Sequence, residues 1–269
     1  MRRYLRGLAI TVLLSPAFAN ATVVGVDFGG NAFNINEATG TGVALGATGF
    51  GRLNSAASNS SGTIYSASEQ FSGGQSQLIT VNPITGAGIA VTPFFNTVNN
   101  NSIRALGFSP TDVLYAIIDI GSPGAAGPDS LYTVDVTTGA LTLVGATGFS
   151  GLQGLAFSPT GSLFAWDIGQ GLLSINVGTG AAMDVNLGVG APVGIQALDF
   201  SPGGVLYGVR NELYTINATT GATTLVGSGG YNGVRGIAFV VSDVVPEPTT
   251  LLLLGLGLAG LGFTRRRLH

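Results

Sequence analysis

The chain has 269 residues, of which 44 are glycine and only 9% are charged, with a formal net charge of −3 and no cysteine. Glycine is about twice as common, and charged residues less than half as common, as in an average protein. This composition excludes a basic nucleic-acid-binding surface and a charged disordered chain. Because glycine is costly inside helices, the composition favours an all-β fold with many tight turns.

The charges are unevenly distributed along the chain. All ten basic residues are arginines, and six of them lie at the two ends. The body between residues 22 and 245 keeps four arginines against twelve acids, a net charge of −8. These four are Arg52, Arg104, Arg210 and Arg235. A body this acidic repels nucleic acid and anionic lipid on average, so we expect neither as a partner.

Residues 1–21 have the three parts of a secretory signal peptide. A basic start is followed by an apolar stretch over residues 8–14 and by the cleavage sequence Ala17-Phe18-Ala19. A second small-residue site, Ala19-Asn20-Ala21, comes two residues later. The order of these parts predicts an N-terminal signal helix, export by the Sec machinery and removal by signal peptidase.

Five copies of one unit follow, over residues 22–243. Each copy has an Asn/Asp-x-x-Thr-Gly motif, a β-rich run, an apolar strand that usually ends in Phe, and a second strand with an aromatic residue. The motifs begin at Asn36, Asn82, Asp135, Asn176 and Asn217. A unit of four short strands and about 45 residues has the length of a propeller blade, and similar repeats occur in bacterial surface propellers. The sequence therefore predicts a five-bladed β-propeller, because a ring leaves no open sheet ends.

The ends of the repeat array indicate how the ring closes. The fifth unit stops after residues 237–239 and lacks its aromatic strand. The missing piece lies at the start of the body, where residues 23–27 (Val-Val-Gly-Val-Asp) match residues 206–210 (Leu-Tyr-Gly-Val-Arg). We predict that the first strand completes the last blade. A six-bladed ring remains the alternative if residues 54–74 hide degenerate strands.

The five Asn/Asp-x-x-Thr-Gly motifs allow two interpretations. Asn and Asp supply hard oxygen ligands, so the series is compatible with calcium binding. Turn chemistry explains it better, because Asn or Asp bonds its own backbone and Gly takes the positive φ that closes the hairpin. Only one of the five motifs begins with Asp, whereas tight calcium sites gather several carboxylates.

A second polar series lies four residues before each strand-end Phe. Its members are Asn54, Arg104, Gln153, Gln196 and Arg235, with Asn54 aligned through Tyr65. If these strands are innermost, the five side chains form a ring at one mouth of the channel. Two guanidinium groups there suit an acidic sugar or another oxyanion. The alternative is that the five side chains tie neighbouring blades together at the rim.

A third series is mainly acidic and follows the aromatic strands. It contains Asp27, Glu69, Asp119, Asp167 and Arg210. Carboxylates at one rim are able to hold a cation, but such residues more often solvate strand ends. Arg210 also breaks the symmetry of any metal ring, so we predict no metal site.

Residue types used in catalysis are scarce. The only histidine is the terminal His269, and there is no cysteine or lysine. This excludes Ser-His-Asp triads, thiol nucleophiles, Schiff-base chemistry and histidine-ligated metals. A glycosidase built on carboxylates alone is the remaining enzyme class, with Glu69 and Asp119 as candidates. We predict no enzyme activity and no cofactor, and we place Trp166 in the core.

Residues 244–269 have the features of a second targeting signal. A Pro-Glu-Pro break is followed by an apolar run over residues 251–263 and an arginine stop. The run is shorter than the span of about 18–20 residues that a bilayer requires, and its glycines weaken a helix. Three arginines after it favour the cytoplasmic side. We therefore expect a hydrophobic helix that anchors the exported chain only transiently at the inner membrane.

This tail resembles the PEP-CTERM sorting signal of exopolysaccharide-producing Gram-negative bacteria, which is sometimes labelled an ice-binding C-terminal domain. The residues that carry the resemblance are Val245, Pro246, Glu247, Pro248, Arg265, Arg266 and Arg267. The resemblance covers about the last 25 residues. It implies that a membrane enzyme, exosortase, recognises the tail and cuts near the Pro-Glu-Pro. The product then reaches the outer surface or the extracellular matrix, and the role of the body is left open.

Together these observations predict an exported, surface-sorted and non-enzymatic propeller. We expect it to act as a binding or structural module in the extracellular polysaccharide layer, with an exopolysaccharide or another glycan as partner. A carbohydrate-active enzyme that uses carboxylates alone and a calcium-dependent adhesion module are the alternatives. The fold does not distinguish them, because propellers host many functions.

Overall fold

The computed structural model describes residues 21–69, 76–91, 102–119 and 127–241, which belong to one compact unit, Ala21–Val241. The predicted signal helix and the C-terminal hydrophobic helix with its transient anchoring lie outside the described residues. Within the described ranges, no helix has the length and apolar character needed to cross a membrane.

The described residues form five four-stranded antiparallel sheets, which we call blades 1–5. Blade 1 contains β1 (Ala21–Asp27), β2 (Asn31–Ile35), β3 (Gly42–Ala47) and the last strand, β20 (Val234–Val241). Blade 2 contains β4 (Ala57–Ser58), β5 (Ile64–Glu69), β6 (Ser76–Val81) and β7 (Gly88–Ala90). Blade 3 contains β8 (Ser102–Phe108), β9 (Leu114–Asp119), β10 (Ser130–Val134) and β11 (Leu141–Ala146).

The two remaining blades follow the same pattern. Blade 4 contains β12 (Leu152–Phe157), β13 (Leu163–Asp167), β14 (Gly171–Ile175) and β15 (Ala182–Asp184). Blade 5 contains β16 (Ala197–Phe200), β17 (Leu206–Val209), β18 (Glu212–Ile216) and β19 (Thr223–Ser228). The five-bladed propeller is thus confirmed. The six-bladed alternative is wrong, because residues 54–69 supply only the first two strands of blade 2.

The five inner strands, β4, β8, β12, β16 and β20, contact one another in turn around the axis. Small residues such as Ala56, Gly154 and Gly236 line the axis, and no water molecule fits between the strands. Within the part of the chain that the structure describes, the axis therefore contains no open channel, and a ligand reaches this part of the ring at its two ends and its outer surface.

The predicted closure of the ring is confirmed. Strand β1 pairs with β20 in antiparallel register, with Val23 opposite Phe239 and Gly25 opposite Ile237. On its other side β1 pairs with β2. In blade 1, β20 is therefore the innermost strand and β1 is the second strand.

Aromatic pairs join successive blades and explain the Phe that ends most inner strands. Phe108, Phe157, Phe200 and Phe239 each pack against an aromatic side chain of the preceding blade, with ring centroids 5.1–5.8 Å apart. Blade 2 has Ser58 at this position, and its hydroxyl donates to the Phe239 carbonyl at 2.6 Å. Four interfaces are thus closed by aromatic contact and the fifth by a hydrogen bond.

The five Asn/Asp-x-x-Thr-Gly motifs are turns, as turn chemistry predicts. The Asn36 Oδ1 accepts hydrogen bonds from the N–H groups of Ala38 and Thr39 at 2.9 and 3.0 Å, and the other copies repeat this pattern. The closing glycines have φ between 68° and 78°. Trp166 is fully buried in the core, also as predicted.

The glycines of these turns also bring neighbouring blades together. Gly40, in blade 1, lies against the backbone of Gly227 in the outer strand of blade 5. Gly180, in blade 4, lies against Gly145 of blade 3 in the same way. In these copies the motif therefore closes a hairpin and also fits the space left by a glycine of the preceding blade.

Candidate functional site

The inner strands run from one end of the ring to the other, and the two ends differ in chemistry. At the end where the inner strands begin lie Asn54, Arg104 and Arg235, and we call it the arginine end. At the end where they finish lie the turns that contain Ser109-Pro110, Ser158-Pro159 and Ser201-Pro202, and we call it the serine-proline end.

β-Bulges place the two arginines of the predicted ring. In blade 3 the register shifts between Ile103 and Ala105, and in blade 1 it shifts opposite Arg235. A bulge adds one residue to a strand and re-aims its side chain. Arg104 and Arg235 are consequently half-buried, although the strands on which they lie are otherwise apolar and buried.

Arg235 lies in a cluster with an aromatic ring. Its guanidinium donates to the Asn54 Oδ1 at 3.3 Å. The guanidinium carbons of Arg235 and Arg52 lie 4.9 and 5.1 Å from the centroid of the Phe28 ring. These distances are within the range of cation–π attraction. Phe28 and Arg52 are not among the residues that the repeat pattern predicts for this end.

Acidic side chains contact this cluster from the neighbouring strands. Arg104 forms an ion pair with Asp119 at 2.5 Å, and both side chains keep about a third of their surface exposed. Asn54 donates to Glu69 and to the Ile103 carbonyl, both at 3.3 Å. Asn54 therefore ties blade 2 to blade 3, as the rim interpretation expects, while it also contacts Arg235.

Of the two glutamines, Gln153 is less accessible than the arginines, while Gln196 is half-buried as they are. In blade 4 the bulge falls at Gly154, so Gln153 pairs with Trp166 and is only 7% exposed. A Cβ at position 154 would lie 2.5 Å from the Leu198 nitrogen, so the close approach of blade 5 requires glycine there. The Oε1 atoms of Gln153 and Gln196 are buried without a hydrogen-bond partner among the described residues.

All four arginines of the body lie at the arginine end. Burial lowers the pKa of Arg235, and the nearby charges of Arg210 and Arg104 lower it further, while Glu69 opposes the shift. Arg52 joins them through Phe28. The sequence contains one signal for this grouping. Arginine is scarce in the body, with only four residues against twelve acids.

The acidic third series divides into two groups. Asp27 and Asp167 accept backbone hydrogen bonds within their own turns, from Asn31 and from Gly169 and Gln170. Asp119 and Glu69 instead contact residues of the inner strands. Within the described residues, no three acidic or histidine side chains are arranged to hold a metal ion.

Asp129 lies close to the arginine end and is almost fully buried. Its Oδ2 accepts hydrogen bonds from the N–H groups of Gly151 and Leu152 at 2.9 and 2.8 Å. Burial raises the pKa of Asp129 to about 6, and the charge of Asp119 adds to the rise. The two backbone hydrogen bonds and Arg104 oppose it.

An Asp129→Asn variant should change how stability depends on pH. The folded state holds the Asp129 proton more tightly than the unfolded state, so this group stabilises the protein at low pH. That contribution is lost as the pH rises from about 4 to about 6. We expect the variant to melt at a higher temperature than the parent at pH 8 and to lose this advantage at pH 4, as measured by circular dichroism.

Asp135→Asn is the matched control, because hydrogen bonds from the turn lower the pKa of Asp135. Four of the five turn motifs already have Asn there. The expected effect on stability has the opposite sign. The Asp135→Asn variant should be less stable than the parent at pH 8 and approach the stability of the parent in acid. Equal pH dependence in the parent and the Asp129→Asn variant would contradict the assignment.

Chemically, the arginine end has the groups that an anion-binding site needs. Guanidinium groups bind carboxylates through paired hydrogen bonds, and a partly buried position strengthens each bond. The neighbouring acids restrain the arginines, and Phe28 adds an aromatic surface.

Comparison with known proteins supports the fold and the tail. Residues 244–267 match the PEP-CTERM protein-sorting motif. No curated protein sequence matches the chain. Among solved structures, a chain of the nidogen/laminin complex is similar, with a TM-score of 0.57 and 9% identity, covering 83% of this chain and 99% of that one.

Two bacterial structures are also similar. A structural genomics protein from Bacteroides thetaiotaomicron has a TM-score of 0.50 and 13% identity, covering 79% of this chain and 59% of that one. A gluconolactonase from Xanthomonas campestris has a TM-score of 0.49 and 14% identity, covering 79% and 73%. Identities this low show the fold alone, and that likeness rests on the two structures with TM-scores of 0.57 and 0.50. The motif implies export, processing by exosortase, and delivery to the surface or the extracellular space. The chain is therefore an exported protein with a five-bladed β-propeller body and a PEP-CTERM protein-sorting motif at residues 244–267.

Proposed function

We propose that this protein is a non-enzymatic binding module of the extracellular polysaccharide layer, and that its arginine end binds the carboxylate groups of an acidic polysaccharide. The observation that carries the proposal is that all four arginines of a body with a net charge of −8 lie at one end of the ring.

The electrostatics of this end favour an anionic ligand. Arg104, Arg210 and Arg235 lie near enough to one another to lower the pKa of Arg235. Like charges held together in a partly buried place destabilise the protein unless an anion joins them. Asp119 and Glu69 neutralise part of this positive charge, and the carboxylate of a bound ligand would neutralise more of it.

The residue types present in the body support a role without catalysis. The body contains no histidine, cysteine or lysine. The two candidate carboxylates of a glycosidase are engaged elsewhere, because Asp119 pairs with Arg104 and Glu69 accepts hydrogen bonds from Asn54 and the Ser102 hydroxyl.

The test is binding of the purified mature protein to the acidic exopolysaccharide of the producing cells. We expect saturable binding that falls about tenfold or more in an Arg104→Gln/Arg235→Gln variant, because two charge-assisted contacts are lost. Binding should also fall when the carboxyl groups of the polysaccharide are reduced to alcohols. Circular dichroism checks that the variant is folded.

The matched control is a Thr142→Glu/Thr224→Glu variant. It makes the same change in net charge at two exposed positions on the outer strands. It should bind like the parent. Equal binding by the arginine variant and the parent would overturn the proposal. Cleavage of the polysaccharide would favour the enzyme alternative, and binding lost only with a chelator would favour calcium-dependent adhesion.

A further inference from the structure

The serine-proline end contains a cavity that the proposed function does not use. Its volume is about 280 Å³, and residues from all five blades line it. This volume is just below the range of about 300–1,000 Å³ found for drug-sized ligands, so the cavity matches a smaller ligand of about one sugar ring. It lies at the end of the ring opposite the arginines.

Aromatic rings form part of the cavity walls. Phe108, Phe157 and Phe200 line it and keep part of their surface exposed. Each ring is held from behind by an aromatic partner in the preceding blade. The walls are therefore set by the packing between blades, so a ligand meets rings that are already fixed in place.

The serine hydroxyls of the rim serve the turns. The Oγ atoms of Ser109, Ser158 and Ser201 each accept a hydrogen bond from the backbone N–H four residues later, at 3.0–3.1 Å. They fix the shape of the rim. The charged groups that a ligand meets at this end are two carboxylates.

Those carboxylates are Asp199 and Asp112, and among the described residues that line the cavity there is no cation. Asp199 accepts hydrogen bonds from the N–H groups of Phe200 and Phe239, both at 2.8 Å. Asp112 accepts from the N–H and the hydroxyl of Ser60 at 2.8 and 2.5 Å. An ionised carboxylate has about four acceptor positions, so each keeps about two.

The charge of Asp199 is costly in this place. Burial raises the pKa of Asp199 to about 7, although the two backbone hydrogen bonds lower it. A cation in the cavity would offset the desolvation of the carboxylate. Aromatic faces attract the same class of ligand, because their π-systems are negative.

We propose that this cavity binds a small organic ammonium ion, with an amino sugar as the example that matches its size. Asp199 and Asp112 supply the carboxylates that attract the ammonium group, and the phenyl rings contact the rest of the ligand. This second site is independent of the proposed function, since it lies at the other end of the ring and selects the opposite charge.

The test is calorimetric titration of the purified mature protein with glucosamine at pH 7, with glucose as the neutral match. We expect glucosamine to bind about tenfold or more tightly than glucose, because only glucosamine makes charge-assisted contacts. An Asp199→Asn variant should lose about tenfold in affinity. If that variant does not fold, Asp112→Asn provides the same comparison.

The control is the Thr142→Glu/Thr224→Glu variant, which leaves the cavity intact and should bind glucosamine like the parent. Equal affinities for glucosamine and glucose would overturn the proposal, as would no measurable binding of glucosamine at millimolar concentration. Unchanged affinity in a folded Asp199→Asn variant would also overturn it. Polysaccharide binding at the arginine end is measured separately, so failure of one site leaves the other to be judged by itself.

Discussion

A Val24→Asp variant is expected to lose the closed ring. Val24 lies in the middle of β1, is fully buried, and packs in the cluster that joins blades 1 and 2. An unpaired charge in such a place costs about 3–5 kcal/mol, against a total stability of about 5–15 kcal/mol for a typical domain. Thermal unfolding followed by circular dichroism should show a large fall in melting temperature or no cooperative transition.

The same substitution at Val43 is the control. Val43 lies in β3 of the same blade and is 71% exposed. A Val43→Asp variant should melt within a few degrees of the parent, because exposed substitutions change stability by about 0.5 kcal/mol or less. If Val24→Asp melts like Val43→Asp, then β1 does not complete blade 1 in solution.

A Gly227→Ala variant should also be strongly destabilised. A Cβ at position 227 would lie 2.1 Å from the carbonyl oxygen of Thr39, which belongs to a turn of the next blade. A backbone atom is unable to move aside without separating the blades. Overpacking of this kind costs about 1–3 kcal/mol. Gly145→Ala makes the same collision with the Thr179 carbonyl, so the double variant should lose about twice as much.

Gly51→Ala separates this collision from the general effect of replacing glycine. A Cβ there has no atom within 4 Å, and Gly51 has no positive φ. The variant should be as stable as the parent or slightly more so, since alanine reduces the freedom of the unfolded chain. Urea denaturation gives the free energies of unfolding. Equal values for Gly227→Ala and Gly51→Ala would show that the blades are farther apart than the structure has them.

The repeats made most of the fold predictable. Closure followed from the match between residues 23–27 and 206–210, because both stretches are the second strand of a blade. The spacing from the strand-end Phe also identified Arg104 and Arg235, which the structure places at bulges. It missed the different register of β12, where Gly154 takes the bulge and Gln153 turns into the pair with Trp166. The shift in the register of β12 depends on how closely blade 5 approaches Gly154. The sequence of one repeat unit does not contain this information, because the contact is between two units.

Only the part of the candidate site that follows the repeat was predictable. Asn54, Arg104 and Arg235 lie four residues before Ser58, Phe108 and Phe239, which occupy equivalent positions, so counting along the repeat predicted that they share one end of the ring. Phe28 and Arg52 lie between strands, and they reach the site because the loop into blade 2 passes beside the first turn of blade 1. Contacts of this kind have a large separation in sequence and no periodic pattern.

Closure by the first and last strands also determines the order of events during export. A chain that crosses a membrane from its N-terminus presents β1 first and β20 last, and β1 lacks one of its two partners until β20 arrives. The blades between them are able to form in sequence as they emerge, but the ring stays open meanwhile. The contact that completes the fold therefore joins the earliest and the latest strands to arrive, and it forms only when the whole body has been translocated.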